Sequence, residues 1–69
     1  MAIKYKELNG LIYAQYDSQS EFAAKLGWPR QKLNKILMGT KEPDLREAAE
    51  IADGLNKPLD TIAAIFLRQ

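Results

Sequence analysis

Residues 18–39, SQSEFAAKLGWPRQKLNKILMG, decide the fold of this chain. They predict two short helices joined by a tight turn. Ser18 and Glu21 have the S-x-x-E spacing of a capping box, in which each side chain bonds the other residue's backbone amide at a helix start. Gly27 suits the left-handed position that ends the first helix. Pro29 suits the first turn of the second helix because it has no amide hydrogen to leave unpaired.

Apolar residues keep a helical spacing before this segment. Those of the predicted first helix share one face: Tyr5, Leu8, Ile12 and Tyr16. Asn9-Gly10 is typical of a hairpin turn. Because the residues around it do not alternate in polarity, we expect a helix that tolerates Gly10 at a cost of about 1 kcal/mol.

The last third of the chain predicts two more helices. Asp44 and Glu47 form a second capping signal, and Asn56 suits the end of that helix. The predicted inward face of this fourth helix is Leu45, Ala48, Ala49, Ile51, Ala52 and Leu55. Pro58 predicts the start of a fifth helix, with Leu59, Ile62, Ile65 and Phe66 turned inward. We therefore expect an all-α fold of five short helices around one core, in one domain over residues 1–69.

Composition argues against several classes of function. The chain has no cysteine and no histidine, so it lacks thiolate ligands, disulfides, and the commonest metal ligand and general base. The carboxylates of the last third do not have the spacing of a calcium loop. A chain this short has little room for a catalytic pocket beside its core. We expect no enzyme activity, no metal, no cofactor and no small-molecule ligand.

The apolar runs are far shorter than the about 20 residues of a membrane span, and the N-terminal lysines precede no apolar stretch. We therefore expect no membrane segment and no signal peptide, and a location in the cytoplasm.

Charge is unevenly distributed along the chain, although the net charge is only +1. Residues 1–41 carry seven basic and three acidic side chains, whereas residues 42–69 carry three basic and six acidic ones. Residues 30–41 carry four positive charges and no negative one. This pattern is typical of an anion-binding face, and a solvated run of charge is an equally good interpretation of the charge alone.

The predicted helix 29–38 has the side chains that base reading requires. Arg30, Gln31, Asn34 and Lys35 form one stripe on its outer face. Arginine and lysine can donate to guanine in the major groove, and glutamine or asparagine can bond adenine. The opposite side is apolar and predicted to be buried: Leu33, Ile36 and Leu37. The alternative is that these side chains are only the solvent-exposed polar surface of a helix and bind nothing.

A second set of residues is predicted to contact DNA phosphates. Ser18 and Gln19 lie at the start of the second helix, where free amides and the helix dipole attract an anion. Lys32, Thr40 and Lys41 can contact the backbone on the other side. Such contacts set register and affinity but do not read sequence.

Three aromatic residues have two interpretations each. Trp28 is expected at the edge of the core, with base stacking as the alternative. Tyr13 and Tyr16 are expected to pack against neighbouring helices, with a ligand site as the alternative.

The motif in residues 18–27 resembles the signature [ST]-Q-x-E-[LF]-A-x-x-[LV]-G of the Cro/cI-type helix-turn-helix proteins, also called the XRE family. Residues 30–39 are similar to that family's recognition helix and its terminal glycine. The later part of the chain resembles the family's P-x-L…I-A-x-A-L-x…L-D pattern, so the resemblance covers roughly residues 5–66. It implies a five-helix, λ-repressor-like fold and a sequence-specific transcriptional role, often in phage or mobile elements.

Position by position, the resemblance assigns base reading to Arg30, Gln31 and Lys35 and backbone bracing to Gln19. The chain departs from the family pattern at Trp28-Pro29, where a small apolar residue and Ser/Thr are usual. The recognition helix is therefore expected to lack its usual cap.

Together these features predict a DNA-binding transcriptional regulator, with repression by occupying an operator as the expected mode. It would be prokaryotic or phage-encoded and associated with the nucleoid. We expect a homodimer on double-stranded DNA with half-sites about 34 Å apart. The apolar residues Ile65, Phe66 and Leu67 are the expected contact region. The alternative is a protein-interaction module of the same fold, such as an antitoxin or a phage adaptor.

Overall fold

The computed structural model describes residues 3–67. The predicted domain of residues 1–69 therefore includes four terminal positions that lie outside the described residues. Residues 3–67 form five α-helices and no strand, which confirms the all-α, five-helix prediction. The helices are α1 (Lys6–Gln15), α2 (Gln19–Leu26), α3 (Arg30–Met38), α4 (Leu45–Leu55) and α5 (Leu59–Leu67). Because Asn9 and Gly10 both lie inside α1, the hairpin alternative is wrong.

The helix boundaries agree closely with the capping signals. Ser18 Oγ accepts a hydrogen bond of 3.2 Å from the Glu21 amide, but α2 forms only this half of the predicted capping box. Gly27 and Gly39 have φ of +74° and +82°, a left-handed backbone that glycine adopts without steric cost. Pro29 has an extended ψ of 146° and precedes α3, so this helix begins one residue later than predicted.

The core is built from one face of every helix. Its largest fully buried side chains are Leu8, Ile12, Phe22, Leu33, Ile36, Leu37, Ile51, Leu55 and Ile62. Each contributes about 1.5–3 kcal/mol relative to an exposed position. The ring of Tyr5 meets Phe66 edge-on at 4.7 Å, and Tyr16 packs on Phe22 at 5.0 Å. The four residues predicted to form the inner face of α1 all contact the core.

Three apolar side chains predicted to pack inside are exposed. Leu45 is 76% exposed and Leu59 is 36% exposed, because each is the first residue of its helix and lies to one side of the buried row. Tyr13 is 52% exposed, since it is turned away from the buried face that carries Ile12. Tyr16 does pack as predicted, and its hydroxyl donates a 2.7 Å hydrogen bond to the Gly54 carbonyl.

The residues just before α1 hydrogen-bond to the end of α3. The amides of Lys4 and Tyr5 donate to the Leu37 carbonyl at 3.0 and 3.2 Å. A carbonyl at the end of a helix has no partner within the helix, so these bonds satisfy a group that would otherwise need water. Lys4 and Tyr5 therefore help to hold α3 in position, together with the helices packed against it. In the described part of the chain, no helix has the length and apolar character needed to cross a membrane.

Candidate nucleic-acid interface

Helix α3 has one polar face and one buried face, as its sequence predicts. Arg30, Gln31 and Lys35 are exposed, and Asn34 is half-buried. The opposite side is fully buried: Leu33, Ile36 and Leu37. Asn34 Nδ2 lies 3.4 Å from Met38 Sδ, a weak acceptor that leaves most of the amide's bonding capacity available. The four residues predicted to read bases therefore share one outer face.

The start of α2 connects to α1 through Gln19. Its Nε2 donates a 3.0 Å hydrogen bond to Asn9 Oδ1. Ser18 is half-buried, and its hydroxyl caps α2. Ser18 and Gln19, which are both predicted to contact phosphate, therefore each also make a hydrogen bond within the protein. Their contact with DNA phosphate stays a prediction.

Lys32 and Lys41 converge on one carboxylate, that of Glu47 in α4. Lys41 Nζ lies 2.8 Å from Glu47 Oε1 and 3.1 Å from Oε2. Lys32 Nζ lies 3.1 Å from Oε2. We call these three residues the two-lysine cluster. Thr40 is exposed beside it, in the turn where its amide donates to the Lys35 carbonyl at 2.9 Å.

Glu47 is stabilised in its charged form. The hydrogen bond from Lys41 lowers its pKa most, followed by the Asp44 amide and Lys32, while burial opposes them. The pKa of Glu47 falls from 4.5 to about 2 as a result. Glu47 also completes the capping box of α4, because its Oε1 accepts from the Asp44 amide at 3.0 Å and its own amide donates to Asp44 Oδ1 at 2.8 Å.

Sequence reasoning identified Glu47 as a capping residue but missed its two lysine partners. A local spacing rule detects the pairing with Asp44, three residues away. No such rule connects Glu47 to Lys32 in α3, because that contact depends on how α3 and α4 pack. The run of positive charge from residue 30 to residue 41 was the available signal, but it does not show which acidic residue the lysines meet.

Trp28 lies at the edge of the core, as predicted, and is 9% exposed. Its Nε1 donates a 2.7 Å hydrogen bond to Glu50 Oε1 in α4. Lys32 Nζ lies 4.3 Å from the centre of the indole ring, a cation–π distance. Pro29 gives α3 no side-chain cap, as the Trp28-Pro29 sequence predicts. Trp28 therefore connects the start of α3 to α4 and to the two-lysine cluster.

An apolar groove of about 350 Å³ lies between the start of α4 and the end of α5. It is lined by Tyr5, Glu42, Pro43, Asp44, Leu45, Ala48, Ala63, Phe66 and Leu67. Leu67 is 83% exposed and Phe66 is half-buried, whereas Ile65 belongs to the core. In the predicted C-terminal contact region, Leu67 is therefore exposed, Phe66 is half-buried against Tyr5, and Ile65 is buried.

No group of three or more histidine, cysteine or carboxylate side chains in residues 3–67 is placed to hold a metal ion.

Comparison with known proteins gives one match. A sequence model described as Helix-turn-helix matches residues 14–62, from the end of α1 into α5. No curated protein and no solved structure gives a match. The matched region contains the exposed stripe of α3 and the two-lysine cluster.

Proposed function

The chain belongs to the Cro/cI-type helix-turn-helix family of DNA-binding regulators, and from this premise we propose that it is a sequence-specific repressor that occupies an operator. The observation that carries the proposal is the division of α3 into an exposed polar stripe and a fully buried apolar side. A helix with this division can enter the major groove while its inner side stays in the core.

Within that proposal, Arg30, Gln31, Asn34 and Lys35 face the base edges. Arg30 is at the first position of α3, and side chains near the start of a recognition helix reach furthest into the groove. A bidentate arginine–guanine or glutamine–adenine pair discriminates against the wrong base by about 1–3 kcal/mol. The site therefore has the chemistry for a short, mixed recognition sequence.

The phosphate contacts proposed for Ser18, Gln19, Lys32, Thr40 and Lys41 would flank this stripe. Gln19 begins α2, where the N-terminal end of the helix dipole favours an anion. Lys32 is about 60° from Lys35 around the axis of α3, at the border between the exposed stripe and the core. Contacts on both sides of α3 would fix its depth and register in the groove.

We further propose that the protein binds as a symmetric homodimer. A single domain of this size makes few base contacts, and a dimer doubles them on half-sites about 34 Å apart. The groove between α4 and α5 is the proposed contact surface, because Leu45 and Leu67 leave apolar area exposed there. A regulator of this kind would act in the nucleoid of a prokaryotic or phage-infected cell.

Selection from a pool of random duplexes, at a low and a moderate salt concentration, tests the proposal. We expect a recovered palindrome at both concentrations and retention that falls steeply with salt, because lysine and arginine displace counterions from DNA. Enrichment of a single unrepeated half-site would argue against the dimer. Recovered duplexes that share no common sequence at either salt concentration would argue against recognition of a specific sequence.

The same groove also favours a second candidate, a protein-interaction module such as an antitoxin or a phage adaptor. Exposed apolar side chains rimmed by Glu42 and Asp44 are typical of a contact surface. Under this alternative, the selection would retain no duplex in a salt-dependent way.

A further inference from the structure

Glu47 is the one charged side chain that is buried among residues 3–67. It lies on α4, outside the helix-turn-helix, and its side chain is 11% exposed. Both carboxylate oxygens are used: Oε1 accepts from Lys41 and the Asp44 amide, and Oε2 accepts from Lys41 and Lys32. A cap for α4 needs only one of these oxygens, so the capping role does not account for the arrangement.

We propose that Glu47 is a positioning residue that holds the ammonium groups of Lys32 and Lys41 together as a clamp for one DNA backbone phosphate. This inference rests on the proposed function, since it assigns a role within the same DNA-binding surface.

The distances fit one phosphate between the two lysines. Both ammonium nitrogens lie 3.1 Å from Glu47 Oε2, so they are at most twice that distance apart. Each ammonium has three donor hydrogens, and Glu47 does not use all of them. A phosphodiester presents two non-bridging oxygens, one for each ammonium. With one carboxylate and two lysines, the cluster keeps a net positive charge that attracts the phosphate.

The cluster is accessible from outside while its carboxylate is shielded. The lysine side chains are 31% and 41% exposed, against 11% for Glu47. A phosphate therefore approaches the lysines from solvent, with the carboxylate behind them. Lys32 borders the proposed base-reading stripe of α3, so the phosphate it meets would lie at the edge of the major groove that α3 enters.

Holding the lysines in place has an energetic consequence for binding. A free lysine side chain loses rotamer entropy when it is fixed. In this protein Glu47 fixes both lysines before DNA arrives, and the Trp28 ring supports Lys32 from another side at 4.3 Å. Binding to phosphate then costs less entropy than binding by two freely rotating lysines.

A competing role for Glu47 is also physically reasonable, and it predicts that removal of Glu47 changes the affinity for DNA in the opposite direction. If Glu47 only competed with DNA for the lysines, then removing its charge would release them and tighten binding. If Glu47 positions them, its loss weakens specific binding even though the protein becomes more positive. The sign of the change therefore separates the two effects.

The test compares Glu47→Gln with Asp53→Asn on the selected operator. The two variants remove equal charge from the same helix, and Asp53 is exposed near the end of α4, whereas Glu47 lies near its start. We expect Glu47→Gln to raise Kd by about tenfold or more, because binding must then restrict lysine side chains that Glu47 no longer holds. We expect Asp53→Asn to bind as tightly as the native protein or more tightly. Circular dichroism at the assay temperature verifies that each variant is folded.

A double-mutant cycle checks that Glu47 acts through the lysines. In the Lys32→Met/Lys41→Met background, Glu47→Gln should cause no further loss of affinity. If Glu47→Gln does not fold, then Glu47→Asp replaces it, because the shorter side chain keeps the charge but draws the carboxylate away from the lysines. The same weakening is expected.

Single methylphosphonate substitutions along the operator locate the phosphate. We expect one neutralised phosphate in each half-site to weaken native binding but to leave the double-lysine variant unaffected. Binding by Glu47→Gln as tight as by Asp53→Asn would overturn the positioning role while leaving DNA binding intact. Native protein that shows no salt-dependent binding to any duplex would overturn the proposed function and the clamp together.

Discussion

The indole Nε1 of Trp28 donates a 2.7 Å hydrogen bond to Glu50 Oε1, which fastens the turn between α2 and α3 to α4. Arg46 lies 3.7 Å from the other oxygen of that carboxylate, on the exposed side. Because Pro29 provides no side-chain cap for α3, this bond and the packing of the indole ring fix the start of the recognition helix. Trp28 therefore contributes a hydrogen bond between the α2–α3 turn and α4, in addition to its apolar packing at the edge of the core.

Replacing Trp28 with phenylalanine should lower the stability of the fold. The variant keeps an aromatic ring but removes the donor to Glu50, and a hydrogen bond to a charged group contributes about 1.5–3 kcal/mol. Urea unfolding followed by circular dichroism measures the free energy of unfolding. Glu50→Gln is the control and should lower the free energy of unfolding less, since an acceptor oxygen remains although its charge is lost. A Trp28→Phe variant as stable as the native protein would show that the bond is not needed.

Acidification should remove the stabilising effect of Glu47. Its pKa is 4.5 when free and about 2 in the folded protein, so the folded state favours the charged form. The contribution is therefore fully present above about pH 4.5 and is lost as the pH falls towards 2. The free energies of unfolding of native protein and Glu47→Gln should differ at pH 6 and converge between pH 4.5 and 2. A difference that does not change with pH would contradict this assignment.

Two glycines inside helices should respond to alanine in opposite ways. A Cβ at Gly54 would lie 2.8 Å from Leu26 Cδ2 and 2.9 Å from Cε1 of the fully buried Phe22. Such overpacking costs about 1–3 kcal/mol. A Cβ at Gly10 meets nothing within 4 Å, so alanine there should stabilise the protein by about 0.5–1 kcal/mol. Thermal unfolding of both variants checks this, and a stabilised Gly54→Ala variant would contradict the close approach of α2 and α4.

Local signals in the sequence predicted most of the fold. The left-handed glycines, the proline positions and the Asp44–Glu47 box each act within a few residues, so they place helix ends to within one residue. Apolar periodicity wrongly predicted that Leu45 and Leu59 are buried. Both have the apolar character of core residues but begin their helices. Periodicity identifies a face, but it does not show where the neighbouring helix stops covering that face.

The candidate site was predicted less completely than the fold. The outer stripe of α3 follows from helical periodicity alone. The contacts of Lys32 and Lys41 with Glu47, and of Trp28 with Glu50, join residues whose proximity depends on how α3 and α4 pack. Tertiary packing sets these distances, and a single sequence has no local pattern that encodes them.

Base-reading and phosphate-contacting residues should differ in their effects on DNA binding. Arg30→Ala or Gln31→Ala should lose about 1–3 kcal/mol on the preferred operator and relax the preference at one base pair. Lys41→Ala should weaken all duplexes alike and reduce the slope of log K against log salt by about 0.9. Titrations on the operator and on single-base variants at several salt concentrations measure both effects. Equal losses on every duplex for all three variants would contradict the assigned roles.

The proposed dimer surface is tested by placing a charge at Leu67, which lines the groove between α4 and α5 and is 83% exposed. Leu67→Asp should shift sedimentation equilibrium from dimer towards monomer, because burying an unpaired carboxylate in an apolar contact is strongly unfavourable. Tyr13→Asp is the matched control, since Tyr13 is 52% exposed on α1 and does not line the groove. Leu67→Asp should lose affinity for an operator with two half-sites but not for a single half-site. If both variants sediment as the native protein does, the dimer contact lies on another surface.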